Sequence, residues 1–167
     1  MIAFHLPIVP PTATSQTAGK RMMIINSKKT GKPMPLFFKN KAAASAEHDI
    51  LVLCAEHKPR LPLICPVRLQ VDFVWPWRKS EPKKRIALGR VPHTSKPDCS
   101  NIIKLLEDCL TKLEFWADDS QIADLQVTKA WGNNVGIYVA ITPLEGQPQH
   151  PPMVKHQPAQ PSLNLFP

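Results

Sequence analysis

The stretch KPDCSNIIKLLEDCLTKLEFWADD, residues 96–119, places a helical pattern between two groups of acidic residues. Its apolar side chains recur every three or four residues, which predicts a helix over residues 102–115 with one buried side. Asp98 lies just before this helix, and Asp118 and Asp119 follow it. Acidic residues grouped in this way on a cationic protein suggest a metal site that acts on a polyanion.

Each acidic group also has a purely structural explanation. Ser100 is expected to cap the helix N-terminus through its hydroxyl, and Asp98 would be stabilised there by the helix dipole. Asp118 and Asp119 can simply form a turn before a strand. At a rise of about 1.5 Å per residue, the two ends of this helix are about 20 Å apart. The acids therefore meet only if the chain folds back after Phe115 or if two subunits combine.

Basic charge is concentrated in two parts of the chain. The net charge is +8 and the isoelectric point is about 9.5. No acidic residue precedes Glu47, whereas seven lysines and arginines do. A second basic cluster occupies residues 78–96 and is interrupted only by Glu81. This balance favours an anionic partner, although it does not separate nucleic acid from a membrane surface, and two solvated loops are the alternative.

The rest of the chain predicts, in order, an edge strand, a cationic hairpin, an alanine-rich helix, a central strand, a long basic loop and a C-terminal hairpin. These elements cover residues 2–8, 21–38, 40–57, 67–75, 78–96 and 122–141. In the last hairpin, Leu125 and Val127 are expected to be buried. Residues 1–143 form one predicted domain. Residues 144–167 are rich in proline and predict a disordered tail.

The four cysteines have no spacing that suits a zinc site. Cys54 and Cys109 fall on apolar helical faces and are predicted to be buried thiols, which favours a reducing compartment. The N-terminus lacks a basic segment followed by an apolar run, so no signal peptide is expected. No apolar stretch approaches the roughly 20 residues of a membrane span.

Residues 96–131 resemble RusA-type Holliday junction resolvases. The pattern of that family is D-x-D-N-x-x-K at a helix start, followed by D-D-x-Q-V/I and a strand that ends in a basic residue. The matching positions are Asp98, Asn101, Lys104, Asp108, Asp118, Asp119, Gln121 and Ile122. The likeness extends over about residues 1–143. It implies an α+β fold, with a small mixed, mostly antiparallel sheet that carries two main helices, assembled as a homodimer.

The resemblance also implies a function. Such an enzyme is a metal-dependent, structure-selective endodeoxyribonuclease that resolves four-way DNA junctions by paired symmetric nicks during recombination and repair. Mg²⁺, or alternatively Mn²⁺, would be held by Asp98 and Asp119, with Asp118 and Ser100 as further ligand candidates. Lys104 would be a catalytic lysine beside the two acids, supported by Asn101 and Asp108.

The basic clusters then become candidate contacts to DNA phosphates, which position a duplex without reading its sequence. The candidates are Lys28, Lys29, Lys32, Arg78, Lys79, Lys83, Lys84, Arg85, Arg90 and Lys96. Trp75 is expected in the core, and Trp77 either packs the base of the loop or wedges into the junction. A cytoplasmic enzyme, encoded by a bacterium or a phage, is expected.

One departure from the family pattern concerns the metal site. Ser100 stands where the family has its second acid, and a hydroxyl is a weak neutral ligand for a hard cation. Three function classes therefore remain open. They are a structure-selective endonuclease, a junction-binding protein with weakened catalysis, and a basic interaction module without a nucleic-acid role.

Overall fold

The computed structural model describes residues 1–12, 21–26, 31–38 and 41–144 of the 167. In chain order its elements are β1 (Ile2–Leu6), β2 (Arg21–Asn26), β3 (Pro33–Phe38), α1 (Lys41–Ala55), β4 (Val67–Trp75), α2 (Lys83–Ile86), β5 (Arg90–Pro92), α3 (Cys99–Lys112), a 3-10 turn (Asp119–Gln121), β6 (Ile122–Gly132) and β7 (Gly136–Pro143). The predicted disordered tail and the turn that carries Lys28 and Lys29 lie outside the described residues.

Strand β4 is the middle strand of the main sheet, and one of its faces is wholly apolar and buried. Among the described residues, the main sheet has the strand order β1-β7-β4-β6-β5, and β2 pairs with β3 in a separate hairpin. The pair β4–β6 is parallel, and the other pairs of the main sheet are antiparallel. The prediction of an α+β fold with a small mixed, mostly antiparallel sheet is confirmed.

The predicted hairpin of β6 with β7 is wrong. Strand β4 lies between the two and hydrogen-bonds to both. A parallel neighbour for β4 requires a crossover connection, and α3 supplies it. The connection from β6 to β7 then spans two strand spacings, about 10 Å, which its three residues can cover. Local turn signals could not reveal this insertion, since they carry no information about a strand fifty residues upstream.

Helices α1 and α3 cover one face of the sheet. The core between them contains Phe73 of β4, Ile50 of α1, and Leu106 and Leu110 of α3, all almost fully buried. The opposite sheet face carries paired polar side chains, among them Gln70 and Gln126, whose amides are 2.8 Å apart. The apolar stripe of the predicted helix therefore determines which face of the sheet is covered.

Several local predictions hold and two are wrong. Trp75, Cys54 and Cys109 are buried as expected. Residues 78–96, predicted to be a loop, contain the short helix α2 and the edge strand β5. Leu125, predicted to be buried, is 46% exposed. It lies on the helix-covered face of β6, in register with Leu69 of β4, but β6 is farther from the sheet centre than β4 is.

Gly136 permits the first and last strands to pack closely. It has a φ of 155°, and a Cβ there would lie 2.0 Å from Nε2 of His5. Any other residue at this position would displace the His5 ring, which stacks on Tyr138 at a centroid distance of 4.4 Å. Within the described part of the chain, none of the helices has the length and apolar character needed to cross a membrane.

Two leucines that look alike in sequence are expected to differ in their contribution to stability. Leu106→Ala removes a fully buried side chain and should lower the free energy of unfolding by about 2–5 kcal/mol. Leu125→Ala should lower it by about 1 kcal/mol or less, because the side chain is nearly half exposed. Urea unfolding of both variants measures this difference. Equal losses would contradict the placement of Leu125.

Candidate active site

The entrance of α3 is formed by Asp98, not by Ser100 as predicted. Asp98 is the N-cap residue, with extended backbone angles and no hydrogen bond from its side chain to the helix backbone. Its carbonyl accepts hydrogen bonds from the N–H groups of Asn101 and Ile102 at 3.2 and 3.1 Å. Ser100 already lies inside the helix, whereas an N-cap residue has non-helical backbone angles, as Asp98 does. Both Asp98 and Ser100 are exposed, so the Asp98 carboxylate is available to a ligand.

The exit of α3 reverses the chain direction. Glu114 has a φ of 58°, in the left-handed region. The N–H of Phe115 donates to the carbonyl of Leu110 at 3.0 Å, and the N–H of Glu114 donates to that of Thr111 at 2.9 Å. These two bonds define a Schellman motif, usually closed by glycine. The Glu114 carboxylate accepts a hydrogen bond from Lys58 at 2.7 Å, which ties the reversal to the segment after α1.

Two aromatic residues hold the returning chain against the core. Phe115 and Trp116 are buried completely or nearly so. The N–H of Leu63 donates to the carbonyl of Phe115 at 2.9 Å, and Nε1 of Trp116 donates to Oγ1 of Thr111 at 2.8 Å. Burying a large side chain contributes about 1.5–3 kcal/mol, against about 1–2 kcal/mol for a non-glycine residue in the left-handed region. Burial therefore stabilises the reversal at Glu114.

The sequence DDSQ, residues 118–121, then forms a capped turn. The carboxylate of Asp118 accepts from the N–H of Ser120 at 2.9 Å, and Oε1 of Gln121 accepts from the N–H of Asp118 at 3.2 Å. Nε2 of Gln121 donates to the carbonyls of Leu63 and Cys65 at 3.0 and 3.2 Å. The hydrogen bond from Ser120 also lowers the pKa of Asp118. The turn is thus held at both ends.

The capped turn presents Asp119 to Lys104, in the second turn of α3. Nζ of Lys104 donates to Oδ2 of Asp119 at 2.7 Å and is 3.4 Å from Oδ1 of Asp108. The hydrogen bond to Asp119 raises the pKa of Lys104, which stays charged. By the helical rise, about 9 Å of helix separates Asp98 from Lys104. The fold-back after Phe115 thus brings Asp119 to Lys104, in the second turn of the helix that Asp98 begins.

Glu107 is a site residue that sequence reasoning missed. Burial raises its pKa, and the negative charges of Asp119 and Asp108 raise it further, while the charge of Lys104 lowers it. The available signal was its spacing, three residues after Lys104 and seven after Ser100, which puts it on the same side of the helix. The acids around Lys104 therefore outnumber the one ammonium that faces them.

The oxygen donors suit a hard divalent cation, but only in part. Within the ranges that the structure describes, no three Asp, Glu, His or Cys side chains are grouped closely enough to hold a metal. Mg²⁺ usually takes only one or two protein carboxylates and completes its shell with water and substrate phosphate oxygens. Asp98 is exposed, and Asp119 has one oxygen hydrogen-bonded to Lys104 and a second that can serve as a ligand. Asp118 has one oxygen committed to its turn.

Comparison with known families decides the assignment. A family model described as "Endodeoxyribonuclease RusA" matches residues 9–142. The chain belongs to the RusA endodeoxyribonuclease family. The predicted resemblance and enzyme class are both confirmed.

Two relatives agree with the RusA family assignment. The protein YqaN of Bacillus subtilis (strain 168), named as uncharacterized, is 30% identical over 97 residues, which are 55% of this chain and 68% of YqaN. The crossover junction endodeoxyribonuclease RusA of Lactococcus phage r1t is 36% identical over 77 residues. These are 46% of this chain and 54% of the phage protein, so the match spans about half of that relative.

The basic residues of this RusA family member fall into two groups. Arg90 forms a two-pronged ion pair with Asp72 at 2.5 and 2.7 Å, and Arg85 is 2.8 Å from Glu81 in an ion pair. Arg78 donates to Oγ of Ser95 at 2.5 Å. Exposed lysines form the second group, and they are Lys32, Lys79, Lys83, Lys84 and Lys96. The lysines are therefore more available to DNA than the three arginines.

We expect Lys104 to control the protonation of Glu107. Replacing Lys104 by Met removes the positive charge that lowers the pKa of Glu107, so this pKa should rise further. Carbon-13 NMR titration of the side-chain carboxyls measures the change. Lys41→Met, which removes an exposed lysine from the start of α1, should leave the titration of Glu107 unchanged. An unchanged or lower value in the Lys104 variant would contradict the electrostatic arrangement.

Proposed function

We propose that this protein is a metal-dependent endodeoxyribonuclease that resolves four-way DNA junctions by paired symmetric nicks during recombination and repair. The observation that carries the proposal is the contact of Lys104 with Asp119 at 2.7 Å, on the helix that Asp98 begins. Carboxylates that hold a divalent ion, together with a nearby ammonium, can stabilise the negative charge that develops in phosphodiester hydrolysis. The phage relative is named as a crossover junction endodeoxyribonuclease, which favours branched DNA as the substrate.

Each residue of the site then has a defined task. Asp98 and Asp119 would hold Mg²⁺ or Mn²⁺, with Asp118 and Ser100 as weaker candidates, and the ion would activate water and stabilise the leaving oxygen. Lys104 orients the Asp119 carboxylate and offsets negative charge on the phosphate under attack.

Two helix residues support this arrangement. Asp108 keeps Lys104 in place through the ion pair one helical turn away. Asn101, half-buried in the first turn of α3, supports the helix entrance where Asp98 lies.

The exposed lysines after β4 are the proposed duplex contacts. Lys83 and Lys84 lie on α2, in a segment that also carries Lys79 and Arg78. Phosphate contacts of this kind hold the arms of a junction irrespective of sequence. A homodimer fits the symmetry of a four-way junction and of paired nicks. We further propose that the enzyme acts in the cytoplasm of a bacterium or of a phage-infected cell.

The alternative is a junction-binding protein with weakened catalysis. It is favoured by one observation: Ser100 is exposed in the first turn of α3, where the family pattern has a carboxylate. Binding would then be intact and cutting slow. Incubation with a labelled synthetic four-way junction, with and without Mg²⁺ or Mn²⁺, separates the two, since paired nicks that require the metal support the nuclease.

Asp119→Asn is expected to abolish cutting while preserving binding. The amide keeps the size of the side chain but removes the charge that a cation requires, so cleavage should fall by more than about 100-fold, above the range for merely supporting residues. Asp108→Asn, the matched control, should lower cleavage by about 10- to 100-fold, because Asp108 acts only through Lys104. Gel-shift and single-turnover cleavage assays on one junction measure both. Undiminished cleavage by the Asp119 variant would exclude Asp119 as a ligand.

Charge reversal at Lys83 and Lys84 should weaken binding to all junctions alike. Each lost phosphate contact reduces the slope of log affinity against log salt by about 0.9, so the double glutamate variant should show a slope reduced by up to about 2. The matched control is Lys41→Glu with Arg60→Glu, which makes the same charge change at exposed positions elsewhere. An equal loss in both double variants would mean that only net charge matters.

A further inference from the structure

The segment between β5 and α3, residues 93–98, ends at Asp98. It is held by Lys129, a residue to which the proposed mechanism assigns no task. Nζ of Lys129, on β6, donates to the carbonyl of Ser95 at 2.9 Å and to that of Pro97 at 2.5 Å. Lys129 is half-buried and lies in register with Phe73, on the face of the sheet that α3 covers. Two charge-assisted hydrogen bonds from one ammonium are strong, specific restraints.

The same segment is held at His93, Ser95 and Pro97, and His93 is its first fixed residue. The ring of His93 lies between Trp75 and Trp131, at centroid distances of 4.4 and 4.1 Å. The N–H of His93 donates to the carbonyl of Lys129 at 3.0 Å. His93 is buried, so the segment begins from a fixed anchor.

Ser95 is held from a second direction. Its hydroxyl accepts from Arg78 at 2.5 Å, and the Arg78 guanidinium lies 4.8 Å from the centre of the Trp131 ring. By contrast, Thr94 and Lys96 point outward and are exposed. Lys129 thus acts at Ser95 and Pro97, the last two inward positions before Asp98.

We propose that Lys129 is a positioning residue of the nuclease site. Its ammonium holds the backbone of residues 95–97 so that Asp98 and the first turn of α3 are presented in one orientation. This inference rests on the proposed function, because the orientation of Asp98 affects cleavage only if Asp98 is a ligand of the metal ion. Two of the three N–H donors of Lys129 are used within the chain, so it is not primarily a DNA contact.

The experiment compares Lys129→Met with Lys129→Arg, using Lys41→Met as the control. Met keeps the apolar stem and removes the donors, whereas Arg restores charge and donors. In Lys129→Met, amide exchange of residues 93–102 should accelerate by about tenfold or more, while that of α1 stays unchanged. Junction cleavage at saturating protein should fall by about 10- to 100-fold, with junction affinity within about threefold of the wild type. Lys129→Arg should show slower amide exchange and faster cleavage than Lys129→Met, closer to the wild type in both.

Three results would overturn the proposal. Unchanged amide exchange in Lys129→Met means that the lysine does not hold the segment. A loss of junction affinity with an unchanged saturating rate means that it contacts DNA instead. Faster exchange with unchanged cleavage means that the segment does not orient the site. A wild-type protein that cuts no junction refutes the proposed function separately, and the exchange comparison then still decides whether Lys129 holds the backbone.

Discussion

The reversal of the chain at Glu114 is the constraint on which the site depends. An α-helix carries its two ends apart, so an acid that follows α3 would otherwise remain far from the first turns of that helix. A left-handed residue closes the helix, and the buried rings of Phe115 and Trp116 hold the returning chain against the core. The contact of Lys104 with Asp119 is the direct result.

Some residues of the family motif are occupied by hydrogen bonds to the backbone, and others present their carboxylates elsewhere. Asp118 and Gln121 are occupied by hydrogen bonds that close the turn and tie it to Leu63 and Cys65. Asp119, between them in sequence, faces Lys104 instead. One acid of the pair thus sets the backbone, and the other contacts Lys104. The same division applies at the helix entrance, where the Asp98 backbone caps α3 and its carboxylate stays exposed.

Electrostatics follow from which charges are satisfied within the chain. Arg90 and Arg85 are paired with acids of their own neighbourhood, which reduces their availability to an external anion. Lys83 and Lys84 are exposed on a short helix. Three acids, Glu107, Asp108 and Asp119, surround the single ammonium of Lys104. Burial raises the pKa of Glu107, and the charges of Asp119 and Asp108 raise it further. A protein that carries both a basic surface and a locally acidic site can attract DNA and still accept a cation.

Local patterns in the sequence determined the main strands and the two long helices, the covered face of the sheet and the family. The alternation in β4 and the apolar stripe of α3 are periodic over their whole length, and such periodicity indicates which side of each element is buried. The motif that contains Asp98, Lys104 and Asp119 also showed the resemblance to the RusA family. Tertiary structure alone decided that β4 separates β6 from β7 and that Leu125 is half exposed. It also decided that Lys104 reaches Asp119 and that Lys129 holds the segment before Asp98. These facts depend on contacts between residues distant in sequence, and such contacts leave no periodic trace in the chain.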